Sequence, residues 1–204
     1  MKVKICGVKN SETVQAAVDD GADFLGFMFA KSKRQISLEQ AKELAATVLE
    51  PVQKVGVFVN PTLEEVETAI REVKLDFVQL HGEESPSFCR NVSVPVIKAF
   101  SITSRLDLAK VMEYETAYYL LDSAGGKYRG GNGKVFDWRI LEDVQMDRSR
   151  VMLAGGLTPA NVQEAIQTVK PGVVDVSSGV ETAGEKDLVK LRAFIDEAKG
   201  RMKQ

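Results

Sequence analysis

The chain has one histidine and two cysteines among 204 residues, and each scarcity removes a class of chemistry. A lone histidine leaves no His-rich set for a catalytic metal, and two thiols, Cys6 and Cys89, make a poor zinc site. Without a secretory context the same thiols argue against a disulfide, so each must be explained singly. No apolar run approaches the roughly 18 residues of a membrane span. The opening MKVKICG lacks the apolar core of a signal peptide, which makes a cytoplasmic protein the expectation. An excess of either charge is also missing. The 27 Lys and Arg stand against 29 Asp and Glu, a formal net charge of −2, so no electrostatic argument favours nucleic acid or an anionic membrane as partner. No GxGxxG follows the first apolar run, where a dinucleotide-binding fold would place it.

What is present is an alternation. Short β-rich runs occur at KVKIC (2–6), FLGFMF (24–29), KVGVFV (54–59), FVQL (77–80), VIKAF (96–100), YYLLD (118–122), VMLA (151–154) and VVDV (173–176). Between them lie stretches with apolar residues at helical spacing. Ser11 is expected to cap a helix over 11–20, with Val14, Ala17 and Val18 on one face and Gly21 closing it. Further helices are expected from Ser37, over 63–73, around 85–90, along 105–112, over 159–169 behind a Thr158 cap, and over 187–199. Eight strands and about eight helices without a break in composition predict one domain over residues 1–204. The predicted fold is α/β, a closed (β/α)8 TIM barrel near the lower length limit of about 200 residues, with an open doubly wound sheet as rival.

In a barrel the chemistry sits at the C-terminal ends of the strands. After strands seven and eight come AGGLTPANV (154–162) and DVSSGVE (175–181), whose small residues let backbone N–H groups approach a phosphate; taken singly, each is also an ordinary tight turn. Cys6 and Asp122 end strands one and six, three steps apart around the ring, and can address opposite sides of one small substrate. Each has a plainer reading, Cys6 as a small buried hydrophobe and Asp122 as a loop cap. Gln79 and His81 can line the pocket after strand four, although His81 equally suits a helix entry. Arg34 is either a surface arginine or a fork for a carboxylate. Cys89, beside Phe88, and Trp138 read as structural, and glycine-rich 124–133 is the natural lid.

Taken in order, KICG (4–7), GADFLGFMF (21–29), SKRQIS (32–37), VGVFVN (55–60), VQLHGEE (78–84), LLDS (120–123), GGNGKVFDW (130–138), LAGGLTPANV (153–162) and DVSSGVE (175–181) resemble the phosphoribosylanthranilate isomerase family of tryptophan biosynthesis. The resemblance spans nearly the whole chain. It implies a (β/α)8 barrel that performs an Amadori rearrangement on a small phosphosugar, as monomer or homodimer, with no cofactor and no metal. It implies Cys6 as general base, Asp122 as general acid and Arg34 at the anthranilate carboxylate. The expected site also includes Lys4, Gln79, His81 and Asp175 at the substrate, and Gly155, Gly156, Ser177, Ser178 and Gly179 at the phosphate. Two departures are Asn132, where Thr or Ser is frequent, and SKR, where proline often precedes the arginine. Work near neutral pH requires the acid raised by desolvation and the thiol lowered by positive charge, for which Lys4 is the candidate. An indole-glycerol phosphate synthase would need a catalytic lysine such as Lys98 at a strand end, and a phosphopentose epimerase more histidines than this chain has. A non-catalytic barrel for a phosphate ligand is the remaining alternative.

Overall fold

All eight β-rich runs form strands: β1 (Lys2–Cys6), β2 (Phe24–Met28), β3 (Gln53–Phe58), β4 (Phe77–Leu80), β5 (Val96–Ile102), β6 (Tyr118–Ser123), β7 (Val151–Leu153) and β8 (Val173–Val176). In the computed structural model, which describes residues 1–123, 137–141 and 144–201, they pair in sequence order and close into one barrel. Every neighbouring pair is parallel, and closure comes from β8 returning to β1, where Lys4 lies opposite Asp175. The open doubly wound sheet is thereby excluded.

Among the described residues seven α-helices connect the strands, against the eight or so expected: α1 (Ser11–Asp19), α2 (Leu38–Ala45), α3 (Leu63–Val73), α4 (Pro86–Arg90), α5 (Arg105–Val111), α6 (Val162–Val169) and α7 (Leu188–Lys199). The described parts of the β6–β7 connection carry only 3-10 turns, at Trp138–Leu141 and Arg148–Arg150. Helix starts follow side-chain capping. Ser37 and Thr62 exchange hydrogen bonds with Gln40 and Glu65, three residues on, which fixes the starts of α2 and α3. Two expected caps are corrected. Asn10, not Ser11, caps α1, its Oδ1 accepting from Thr13 N at 2.8 Å. Thr158 does not cap α6, because Asn161 Oδ1 accepts from Thr158 N at 2.8 Å, folding 158–161 into a turn and delaying the helix to Val162. A short antiparallel ribbon of β9 (Glu181–Thr182) and β10 (Glu185–Lys186) follows β8 and had no counterpart in the sequence reading.

Side chains alternate between barrel interior and helix layer, as the two-residue period of a strand requires. Val3 and Ile5 face the helices, whereas Lys4 and Cys6 face inward; Val174 faces out and Asp175 in. Even-numbered strands floor the barrel with Phe24, Phe77 and Tyr118, whose rings meet at centroid distances of 5.7–5.9 Å. Val55, Ile97 and Met152 fill the interior from the odd strands. This stacking of contributions from alternate strands makes the interior a packed core rather than a pore. At the lower end Lys2 Nζ lies 5.9 Å from the Phe24 ring centroid, whereas the buried polar residues Lys4, Gln79, Asp122 and Asp175 lie further along their strands. Cys89 and Trp138 are buried outside the barrel, as structural residues. Among the described residues no helix is long and apolar enough to cross a membrane.

Candidate active site

Lys4 is wholly buried, and its ammonium donates to Asp175 Oδ1 at 2.8 Å. A buried ammonium is tolerable only with such a partner. Burial works against its charge, but Asp175 and Cys6 outweigh it and leave the Lys4 pKa raised. Gly26, on the adjacent strand, makes room for this group: a Cβ there would lie 3.0 Å from Cys6 Sγ and 3.4 Å from Lys4 Nζ.

The two expected reactive groups are both buried at the mouth end of their strands, Cys6 at 4% and Asp122 at 3% exposure. Burial and the nearby charge of Asp175 push Asp122 up to about 7, against the pull of hydrogen bonds from Ser123 and the charge of Lys4. This is the direction expected of a neutral-pH acid. Cys6 departs from expectation. Burial pushes its thiol above the ordinary range; Lys4 and Lys186 oppose this, while Asp175 adds to it. Desolvation of a buried thiolate is the larger effect and outweighs the pull of Lys4, which Asp175 also offsets in part.

His81 places Nε2 3.6 Å from Asp122 Oδ2, and its Nδ1 lies 3.3 Å from Gln79 Nε2. His81 thus stands beside Asp122, and Gln79 beside His81, at the mouth end of their strands. The two glycine loops meet in one cleft that Asp122 and Asp175 share with Gly155, Gly156, Ser177, Ser178 and Gly179. Gly155 is required there: its φ is +85°, and a Cβ would stand 2.4 Å from Ser123 N and 2.7 Å from Asp122 Oδ1.

Arg34 is the least expected in its surroundings. Its aliphatic part crosses Gly7, where a Cβ would come within 2.6 Å of Cδ, and its fork is engaged by Glu181, with Nε donating at 2.6 Å and Nη2 at 2.8 Å. Glu181 also accepts from Lys186 Nζ at 2.9 Å. Sequence reading did not single out Glu181 or Lys186; the available signal was the ETAGEK stretch, a two-residue Ala-Gly turn between an acid and a base. Lys98, the residue a synthase would need, faces the helix layer. Its Nζ is 3.1 Å from Glu84, lies over the rings of Phe100 and Tyr114, and donates to Leu80 O and Gly82 O. Asn132 and the lid candidate 124–133 lie outside the described residues.

A closed parallel barrel with its polar groups gathered at the C-terminal ends of the strands defines a (β/α)8-barrel enzyme. Residues 3–197 match the family described as N-(5'phosphoribosyl)anthranilate (PRA) isomerase. The chain belongs to this family of isomerases. It is 50% identical over 200 residues to the N-(5'-phosphoribosyl)anthranilate isomerase of Listeria monocytogenes serotype 4b, covering 98% of this chain and 99% of the relative. The crystal structure of phosphoribosyl anthranilate isomerase from Thermotoga maritima superimposes with a TM-score of 0.89 at 40% identity, over 98% of this chain and 99% of that one. A phosphoribosyl anthranilate isomerase in complex with reduced 1-(o-carboxyphenylamino)-1-deoxyribulose 5-phosphate does so with a TM-score of 0.86 at 39% identity, with the same coverage.

Proposed function

We propose that this isomerase converts N-(5-phosphoribosyl)anthranilate to 1-(2-carboxyphenylamino)-1-deoxyribulose 5-phosphate in tryptophan biosynthesis, with Cys6 as general base and Asp122 as general acid. The observation that carries the reading is Asp122, a carboxyl held at about 7 within the barrel mouth. At neutral pH such a group is present in both protonation states and can give up its proton in each turnover.

Asp122 protonates the furanose ring oxygen, and the C1–O bond breaks as the nitrogen lone pair forms a Schiff base. Cys6, as thiolate, then takes the proton from C2, and the electron pair moves to give an enolamine. Tautomerisation places a proton on C1 and yields the ketone. The raised thiol makes the thiolate a minority form but a stronger base once formed, which suits removal of a carbon-bound proton. Gly155, Gly156, Ser177, Ser178 and Gly179 receive the phosphate, where backbone N–H groups and small side chains permit close approach. Lys4, Gln79, His81 and Asp175 line the sugar. Arg34 meets the anthranilate carboxylate with the N–H groups that Glu181 leaves over.

The test is the intrinsic fluorescence of the anthranilate conjugate. Catalysis predicts its loss over many equivalents of substrate per equivalent of protein. A change that stops at one equivalent identifies a binding barrel and overturns the reading.

A further inference from the structure

The charges around Cys6 divide into two groups that do not balance alike. Lys4 and Asp175 form a one-to-one pair at 2.8 Å, so that the pull of Lys4 on the thiol is offset in part by Asp175. Arg34 and Lys186 share the single carboxylate of Glu181, at 2.6 Å and 2.9 Å, so two cations and one anion leave one positive charge over. Lys186 is only 4% exposed along its side chain and feels Cys6 electrostatically, as Arg34 does. It is also tied to the strand that carries the thiol. Its Nζ donates to Ser177 O at 2.9 Å, and Ser177 Oγ donates to Cys6 O at 3.1 Å.

We propose that Lys186 is a positioning residue for the reaction: its ammonium holds the loop after β8 against Cys6 and supplies the uncompensated positive charge that the Cys6 thiolate faces. Among the described residues, Lys4 on β1, Asp175 on β8, Arg34 after β2 and Lys186 on β10 interact electrostatically with the thiol, and Asp122 and His81 stand together on other strands of the mouth. Of these, the group containing Lys186 and Arg34 carries a formal net positive charge, and in the substrate-free protein thiolate formation brings it to neutrality. Burial lowers the Lys186 pKa, so its charge is maintained chiefly by Glu181, with Cys6 adding to the support. The inference rests on Cys6 being the base, but its test does not depend on turnover.

In the full-length protein carrying Cys89→Ala, Cys6 is the only thiol, and its alkylation by iodoacetamide, located by mass spectrometry, reads thiolate formation across pH. Lys186→Gln is expected to raise the midpoint by about one pH unit, roughly tenfold slower alkylation below it. Lys186→Arg should restore most of the difference. Lys186→Met, which removes the charge but keeps an aliphatic stem, should raise the midpoint equally. Lys9→Gln, which breaks only the exposed 2.7 Å pair with Glu185 on the same ribbon, should leave it in place. Midpoints unmoved or lowered in Lys186→Gln and Lys186→Met overturn the proposal. Should Lys186→Gln not fold, the Lys186→Met shift decides. Retained turnover in Cys6→Ser would instead remove the base assignment, while the alkylation midpoints still report on Lys186.

Discussion

Replacing Asp122 with asparagine is expected to stabilise the folded protein, and to do so more at pH 8 than at pH 5. Burial and the charge of Asp175 hold the carboxyl at about 7 instead of its ordinary 3.8. The unfolded chain ionises this group freely above pH 4, whereas the folded one resists until about 7. The wild type therefore has this contribution in full below the unfolded pKa and loses it as the pH rises through the folded one. A difference of about three units corresponds to about 4 kcal/mol at most, and about 2 kcal/mol if water or side-chain movement relieves half of it. Asparagine has nearly the same shape, can still accept from Ser123 through Oδ1, and carries no charge to desolvate. Its advantage should grow by about 1–3 kcal/mol between pH 5 and pH 8 and raise the Tm at pH 8 by about 5–15 °C. Urea denaturation of both proteins at the two pH values measures this directly. An advantage independent of pH, or one that shrinks toward pH 8, would refute the placement of a strained carboxyl at the mouth.

Three other perturbations separate the parts of the site. Lys4→Met leaves Asp175 buried without its cation and should cost about 3–5 kcal/mol in urea denaturation, a loss that Lys4→Met combined with Asp175→Leu should partly recover. Gly26→Ala places a methyl 3.0 Å from Cys6 Sγ and 3.4 Å from Lys4 Nζ, and should lower kcat about tenfold while inhibition by inorganic phosphate stays unchanged. Ser178→Asp puts a negative charge at the proposed phosphate cradle and should raise KM and the inhibition constant for phosphate together, by about tenfold or more; an unchanged phosphate constant would place the anion elsewhere.

The barrel was legible because each strand carries its own signal. Inward and outward residues alternate within KVKIC and YYLLD, and helical spacing resumes after each run, so local pattern and topology agree. The strand ends were legible for the same reason, and Cys6, Asp122, His81 and the two glycine loops all belong to the mouth region. The misses come from contacts that local pattern does not encode. Asn10 displaced Ser11 because several residues near a helix start can cap and side-chain geometry chooses among them, and Thr158 lost its place because its own N–H is taken by Asn161 in a turn before α6. Two-residue strands such as Glu181–Thr182 and Glu185–Lys186 are too short to show a period. The direction of the Cys6 shift was misread because Lys4 is visible two residues away, while the burial that outweighs it comes from the assembled barrel, and Asp175, which offsets it in part, lies 171 residues further along the chain.

The central claim is that Cys6 and Asp122 move the protons of the rearrangement. The most direct measurement is steady-state turnover of N-(5-phosphoribosyl)anthranilate by Cys6→Ser and Asp122→Asn, each with its own KM. The expected result is a kcat lower by about 100-fold or more in both, with KM within about threefold, the pattern of a lost proton-transfer group rather than a lost binding contact. Turnover close to wild type in either variant would contradict it.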